Sequence, residues 1–291
     1  MRKLATVFLA STVALTVLPT LPSAEVLQNT SLQVDEDTIN EESFKEVIKE
    51  RQKELKKIIK QAKKEELDSL LDAESKKLDS KKYDKYLHWY YMNHNESLFG
   101  VKGTEENPID LNDYLEKGLK EGRFEEVNVD EVTSVIFTDG PLYFISERSI
   151  VEESKVPALT LNSSNIGTSP NNSFTLAASD YTTQYVYNKV VGRNAIGADV
   201  YTVYVGGYFD YNYTTVTPRI TVSYADLGTA TGWDVISEED GTWVSSDKRK
   251  AEMWQEATFQ WTFSGINMDT EYVKVRITCD SGGNEIPYIH D

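Results

Sequence analysis

Two acidic stretches carry the side chains best suited to chemistry: Glu238-Glu239-Asp240-Gly241 and Asp280-Ser281-Gly282-Gly283-Asn284-Glu285. Both are rich in turn-forming residues and read as loops. Calcium takes about six to eight oxygen ligands in flexible geometry, so Asp280, Asn284 and Glu285 are the candidate ligands for such an ion. Their spacing does not match an EF-hand, and a polar turn at a strand end is the plainer reading. Trp233 and Trp243 flank the other stretch, and indoles on loops stack against sugars or anchor protein contacts. Trp233, Glu238, Asp240 and Trp243 are therefore the candidate binding rim. No motif requires a cofactor, and calcium is the one ion these loops suit.

Catalytic signatures are missing from the sequence. The three histidines are His88, His94 and His290, and no H-E-x-x-H pattern occurs. His88 and His94 point to different sides of a helix, so a zinc site built from them and Glu96 requires local unwinding. Cys279 continues the alternation Val273, Val275, Ile277 and reads as a buried small hydrophobe rather than a thiolate nucleophile. As the single cysteine it excludes an internal disulfide. Neither a G-x-S-x-G elbow nor a phosphate-binding P-loop is present. A glycosidase needs two carboxylates flanking a cleft, one with a raised pKa, and spacing singles out no such pair among the many acids.

The chain that must position these residues starts with a segment of export type. Arg2 and Lys3 precede an apolar run from Leu4 to Leu18, Pro19 and Pro22 break it, and Ala24 offers a small residue for cleavage. Residues 1–24 read as a signal peptide, and the expected location is secreted or cell-surface associated. No later segment is apolar enough to span a bilayer, so no transmembrane span is expected in the mature chain. The formal net charge is −17 and the leader contributes two of the positive charges. Such acidity repels nucleic-acid phosphates, and no nucleic-acid partner is expected.

The chemistry of the chain changes near residue 160. Seventeen lysines lie between Lys45 and Lys155, and only Lys189, Lys248, Lys250 and Lys274 follow. Residues 25–99 form a charged amphipathic helical region, with no Gly or Pro from Glu41 to Phe99. Phe44, Val47, Ile48, Leu55, Ile58, Ile59 and Ala62 recur at three- and four-residue steps. Glu46/Lys49, Glu50/Lys53 and Glu54/Lys57 line the solvated side. Arg51 interrupts the apolar phase, which slips after Ala62 and resumes from Leu70 to Tyr90, predicting an antiparallel helical pair. His88-Trp89-Tyr90-Tyr91-Met92 reads as a docking face for that pair.

Residues 100–159 read as a small α+β segment. Its helix runs from an Asp110 cap to about Lys120, and two strands follow, joined by Thr138-Asp139-Gly140-Pro141. Residues 160–173 are a Ser/Asn/Thr-rich linker. From 174 to 291 the apolar period becomes two. Ile220, Val222 and Tyr224 alternate with Arg219, Thr221 and Ser223, and Ala257, Phe259, Trp261 and Phe263 alternate with polar partners. Gly206-Gly207 reads as a hairpin turn between two such runs.

The predicted architecture is α+β overall, with an all-β antiparallel sandwich of about seven to nine strands at the C-terminal end and a small barrel as the rival. The expected role is an exported, non-catalytic binding protein whose sandwich recognises a cell-wall polymer, a glycan or a protein partner. Two alternatives are a membrane-active toxin that uses amphipathic strands or a helix, and a hydrolase with an unmarked carboxylate site.

Overall fold

The computed structural model describes residues 39–78, 80–94, 97–151, 181–195, 198–230, 232–263 and 266–286. All of them belong to one compact unit, Asp37–Asp291. The expected signal peptide 1–24, the expected linker 160–173 and the start of the β region expected from residue 174 lie outside the described residues.

The helical region contains three helices rather than a pair: α1 (Glu41–Ile59), α2 (Lys64–Ser75) and α3 (Ser80–Asn93). Asn40 and Ser43 form a reciprocal capping box at the start of α1, with Ser43 N donating to Asn40 Oδ1 at 2.9 Å and Asn40 N to Ser43 Oγ at 3.0 Å. The slip after Ala62 is the break between α1 and α2, and turns at Lys76 and Lys77 separate α2 from α3. The buried face of α1 is Phe44, Ile48, Arg51, Leu55 and Ile59. Arg51, the interruption in the apolar phase, thus lies on the buried stripe, where its Nε donates to the Ala195 carbonyl at 3.3 Å. Phe44 stacks on Tyr90 of α3 at 4.8 Å, and Tyr91 meets Trp261 edge-on at 5.2 Å. Among the described residues no helix is long and apolar enough to cross a membrane.

Among the described residues ten strands form two sheets. One has the order β1 (Ile109–Asp110), β10 (Ile266–Asp280), β9 (Lys250–Phe263), β8 (Trp233–Val244). The other runs β2 (Glu125–Asn128), β3 (Thr133–Phe137), β4 (Leu142–Val151), β5 (Thr182–Asn194), β6 (Asp199–Tyr211), β7 (Val216–Leu227). Every pairing is antiparallel except the short β1–β10 bridge. Among the described residues neither sheet closes into a barrel, and β7 and β8 remain edges.

Residues 100–151 contribute strands to both sheets. β1 pairs with β10, and β4 pairs with β5 in unbroken register from Leu142↔Asn194 to Val151↔Tyr185. α4 (Leu111–Lys120) starts where Asp110 Oδ1 accepts from Asp113 N at 3.0 Å. Its Leu111 and Leu115 share a core with Phe99, Phe124 and Phe144, and with Val190, Val203, Val205 and Phe209 of the larger sheet. Met253, Phe259, Val273, Val275 and Ile277 of the smaller sheet complete that core. A second core lies on the opposite side of the larger sheet: Leu55, Ile59, Leu67 and Leu71 of α1–α2 cover Val127, Val135, Phe137, Tyr143, Ile145 and Val191. Each fully buried apolar side chain stabilises the fold by about 1.5–3 kcal/mol.

Three local expectations are corrected. Gly206-Gly207 is not a turn; it lies inside β6, where the pairing with β7 shifts by one residue. The glycines are required because a Cβ on Gly207 would stand 2.2 Å from the Arg219 carbonyl oxygen, and one on Gly206 would stand 2.7 Å from the Tyr185 and Tyr204 hydroxyls. The hairpin instead turns at residues 212–215, where Asn212 Oδ1 accepts from Thr214 N and Thr215 N and Tyr213 takes φ 66°. Glu238–Gly241 is likewise not a loop but the middle of β8, paired with β9. Gly241 serves close packing there, because its Cβ would sit 2.4 Å from the Trp254 indole. Finally, Ile220, Val222 and Tyr224 do not share a face. The bulge opposite Gly206-Gly207 keeps Ile220 on the core and turns Val222 and Tyr224 to solvent.

Arg193 on β5 ties α2 to the larger sheet. Its side chain is only 2% exposed, with Nη2 3.1 Å from Asp68 Oδ1, Nη1 3.3 Å from Asp72 Oδ1, and Nε paired with Asp199 of β6. Arg193→Ala is expected to destabilise the protein by about 3 kcal/mol, because it empties a buried site and leaves Asp199 unpaired. Asp68→Ala or Asp72→Ala alone should cost less than about 1 kcal/mol, since both carboxylates are mostly solvated. Chemical denaturation of the three variants checks this ordering.

Candidate functional site

The α1–α2 cover stops part-way across the larger sheet. Lys64 of α2 and Lys189 of β5 both pair with Glu147 of β4, at 3.2 and 3.0 Å. Burial alone would raise the Glu147 pKa, but the two lysines hold it below the usual carboxylate range. Beyond that ion pair the same outer face carries tyrosines. Alternation on β5 sends Val186, Asn188 and Val190 inward and leaves Tyr185 and Tyr187 outside. On β6, Val203, Val205 and Phe209 point in, while Tyr204 and Tyr208 point out. Tyr224 joins them from β7, on the outer side of the bulge.

These side chains form one cluster. Tyr187, Tyr204 and Tyr224 stack in a column across three strands, with ring centroids 6.0 and 5.1 Å apart and interplanar angles of 16° and 8°. Tyr185 packs edge-on against Tyr208 at 5.1 Å, and its hydroxyl lies 3.1 Å from the Tyr204 hydroxyl. The Arg219 guanidinium sits over the Tyr208 ring at 4.7 Å. Burial and the neighbouring phenols push the Tyr204 pKa up. Gly206 leaves a gap among the rings that any side chain would fill. Because the column's ring faces cover one another, the surface presents ring edges and hydroxyls. Such a surface packs against C–H groups and exchanges hydrogen bonds, with Arg219 as its cation.

The residues singled out by sequence are placed differently. Trp233 is 8% exposed and stacks on Trp261 at 6.3 Å inside the core, whereas Trp243 is 45% exposed. They lie at opposite ends of β8, about 33 Å apart at 3.3 Å per residue. Glu238 Oε2 accepts from the Ala225 backbone N–H at 3.0 Å, and Asp240 is exposed. The four residues thus do not form one rim.

Asp280 and Asn284 are brought together, but Asp280 Oδ1 accepts from Gly282 N and Asn284 N at 2.8 and 2.9 Å, and the Asn284 amide donates to the same carboxylate. Glu285 pairs with Arg148 instead. Among the described residues no group of three or more His, Cys, Asp or Glu could hold a metal ion. His94 stacks on Tyr90 at 4.0 Å with its Nε2 3.2 Å from Glu41; Glu96 and His290 lie outside the described residues. Cys279 is a free, buried thiol whose pKa burial pushes up to about 12, far from thiolate reactivity at neutral pH.

One carboxyl pair that spacing did not reveal is Asp269 and Glu271 on β10. Glu271 is 0% exposed, and its Oε1 accepts from Ser97 Oγ at 2.9 Å and from Leu98 N at 3.2 Å. Burial, then the neighbouring Asp269, raises the Glu271 pKa well above the ordinary carboxyl value. A raised carboxyl pKa suits a general acid, but this pair is sealed between the sheets.

No protein-family model, curated protein or solved structure matches this chain.

The tyrosine cluster was hidden from sequence reading because its members come from three strands whose register depends on the β6–β7 bulge. The Tyr185/Tyr187 alternation was the one local signal for it.

The Glu271 proton generates a pH prediction. A carboxyl whose folded pKa is raised binds more protons folded than unfolded, so its stabilising contribution is complete below the unfolded pKa of 4.5 and declines as pH rises above it. Glu271→Gln, which keeps the acceptor for Ser97 and Leu98, is expected to match the parent near pH 4 and exceed it in melting temperature near pH 8. Thermal melts across that range check it; a variant destabilised at every pH would show that Glu271 is native as the anion.

Proposed function

We propose that this protein is an exported binding module, with the two sheets acting as a β-sandwich that presents its tyrosine face to a cell-envelope polymer, a glycan or a protein. The observation that supports this reading is the partial cover of the larger sheet. Helices bury the outer face of β3 and β4, yet the cover ends at the Lys64–Glu147–Lys189 ion pairs and leaves outside it the half-buried Tyr185, Tyr187, Tyr204 and Tyr208 and the exposed Tyr224. Contiguous aromatic surface on an otherwise acidic chain is what a binding face requires. The hydroxyl-rich chemistry of the face suits sugar rings, and the net charge of −17 disfavours anionic polymers.

Co-sedimentation of the protein with insoluble bacterial cell walls, in calcium and in chelator, tests the proposal. The parent should pellet, and Tyr208→Ser/Tyr224→Ser should weaken pelleting about tenfold, equivalent to ~1.4 kcal/mol, without unfolding the protein. The absence of pelleting in both conditions, or pelleting that the double variant leaves unchanged, would exclude this face as the wall-binding surface.

A further inference from the structure

Each sheet edge exposes backbone donors and acceptors that invite another strand, and proteins protect such edges in recognisable ways. Three of the four described edges are protected. β1 is two residues long and β2 is four. β7 is longer, but Val216 N donates to the Lys248 carbonyl at 2.8 Å, Pro218 has no N–H to offer, and Ala225 N donates to Glu238 at 3.0 Å. β8 is the exception. Its 12 residues contain no proline, and among the described residues its backbone hydrogen bonds within the strand span run only to β9.

Two further properties select what this edge would accept. Large apolar side chains stand exposed along it: Ile236 at the bulge, 54% exposed, and Trp243 and Val244 at the far end. Asp234 precedes Ile236, and Glu238, Glu239 and Asp240 lie between Ile236 and Trp243; all four acids are exposed and none has an ion pair among the described residues, Glu238 accepting only from Ala225 N. Glu238 and Asp240 pair opposite Ala257 and Gln255 on the inner-facing register of β9, whereas Glu239 pairs opposite Glu256 on the outer-facing one, so acid lies on both faces of the strand. A second copy approaching edge to edge would set these acids against each other, and like charges across a strand pair are destabilising. A cationic strand meets the opposite situation on either face.

We infer that β8 docks an extended, lysine- or arginine-bearing segment of a partner protein by strand addition. Main-chain hydrogen bonds would supply affinity, and the acidic side chains would select sign and exclude self-association. This surface is separate from the tyrosine face, and its occupant does not depend on what that face binds.

Fluorescence anisotropy of a labelled peptide of alternating lysine and valine, titrated with the full chain, tests the inference. The peptide should bind. A version with two central valines changed to proline and a glutamate–valine version should each bind at least about tenfold more weakly. Glu239→Lys/Asp240→Lys and Trp243→Ser, all at exposed positions, should each weaken binding of the lysine–valine peptide, whereas Tyr208→Ser/Tyr224→Ser should not. Equal binding of the proline version would reduce the effect to charge attraction and overturn strand addition. No binding of the lysine–valine peptide would overturn the inference outright. A parent chain that is dimeric in solution and dissociates on Trp243→Ser would make a second copy the occupant and overturn it as well.

Discussion

Arg193 lies within β5, between Tyr143 of β4 and Asp199 of β6, and it is almost wholly buried. A guanidinium in that position demands carboxylates, which the chain supplies from Asp68 and Asp72 on α2 and from Asp199 on β6. Satisfying this charge sets α2 against the outer face of the larger sheet. α2 and α1 then bury Val135, Phe137, Tyr143, Ile145 and Val191. The reach of α2 ends at Lys64, whose pairing with Glu147 marks the edge of the covered area. The tyrosine face is what remains beyond it.

The same device recurs on the other side of the molecule. Arg276 of β10, also buried, pairs through Nε with Asp110 at 3.0 Å and through Nη2 with Asp113 at 2.8 Å, at the start of α4. α4 thereby extends the smaller sheet's layer and covers the inner face of β3 and β4, where the four-stranded sheet is too narrow to reach. In both places one strand arginine binds two aspartates spaced along a helix or its cap. The arrangement orients a helix that apolar contact alone would leave free to slide, because hydrophobic attraction has no direction and a two-point ion pair does.

Glycines inside strands then decide what each face shows. Gly206-Gly207 admits a bulge that splits the alternation of β7, sending Ile220 to the core and Val222 and Tyr224 outward. Without that shift Tyr224 could not stack on Tyr204, and the column would end at two rings. On β8 a second bulge at Ile236 exposes an apolar side chain beside the acids. Local register, rather than composition, sets which residues can meet a partner at either surface.

The helix start at Asp110, the apolar stripe of α1 and the period-two runs of β9 and β10 were all legible in sequence, because caps and periodicity are properties of neighbouring residues. The α+β character follows from the same local signals, although strand structure already takes over at Glu125, right after α4. Gly206-Gly207 and Glu238–Gly241 were misread as turns because glycine and clustered acids mark turns only when nothing packs over them. Here Met253, Tyr185 and Trp254 do, and no local pattern records an approach by a residue distant in the chain. The assembly of residues 100–151 with the later strands, the arginine clamps, the sealed Asp269–Glu271 pair and the tyrosine column were decided by tertiary structure alone. Each depends on contacts between residues far apart in sequence, and such contacts exist only once the two sheets have closed over their shared core.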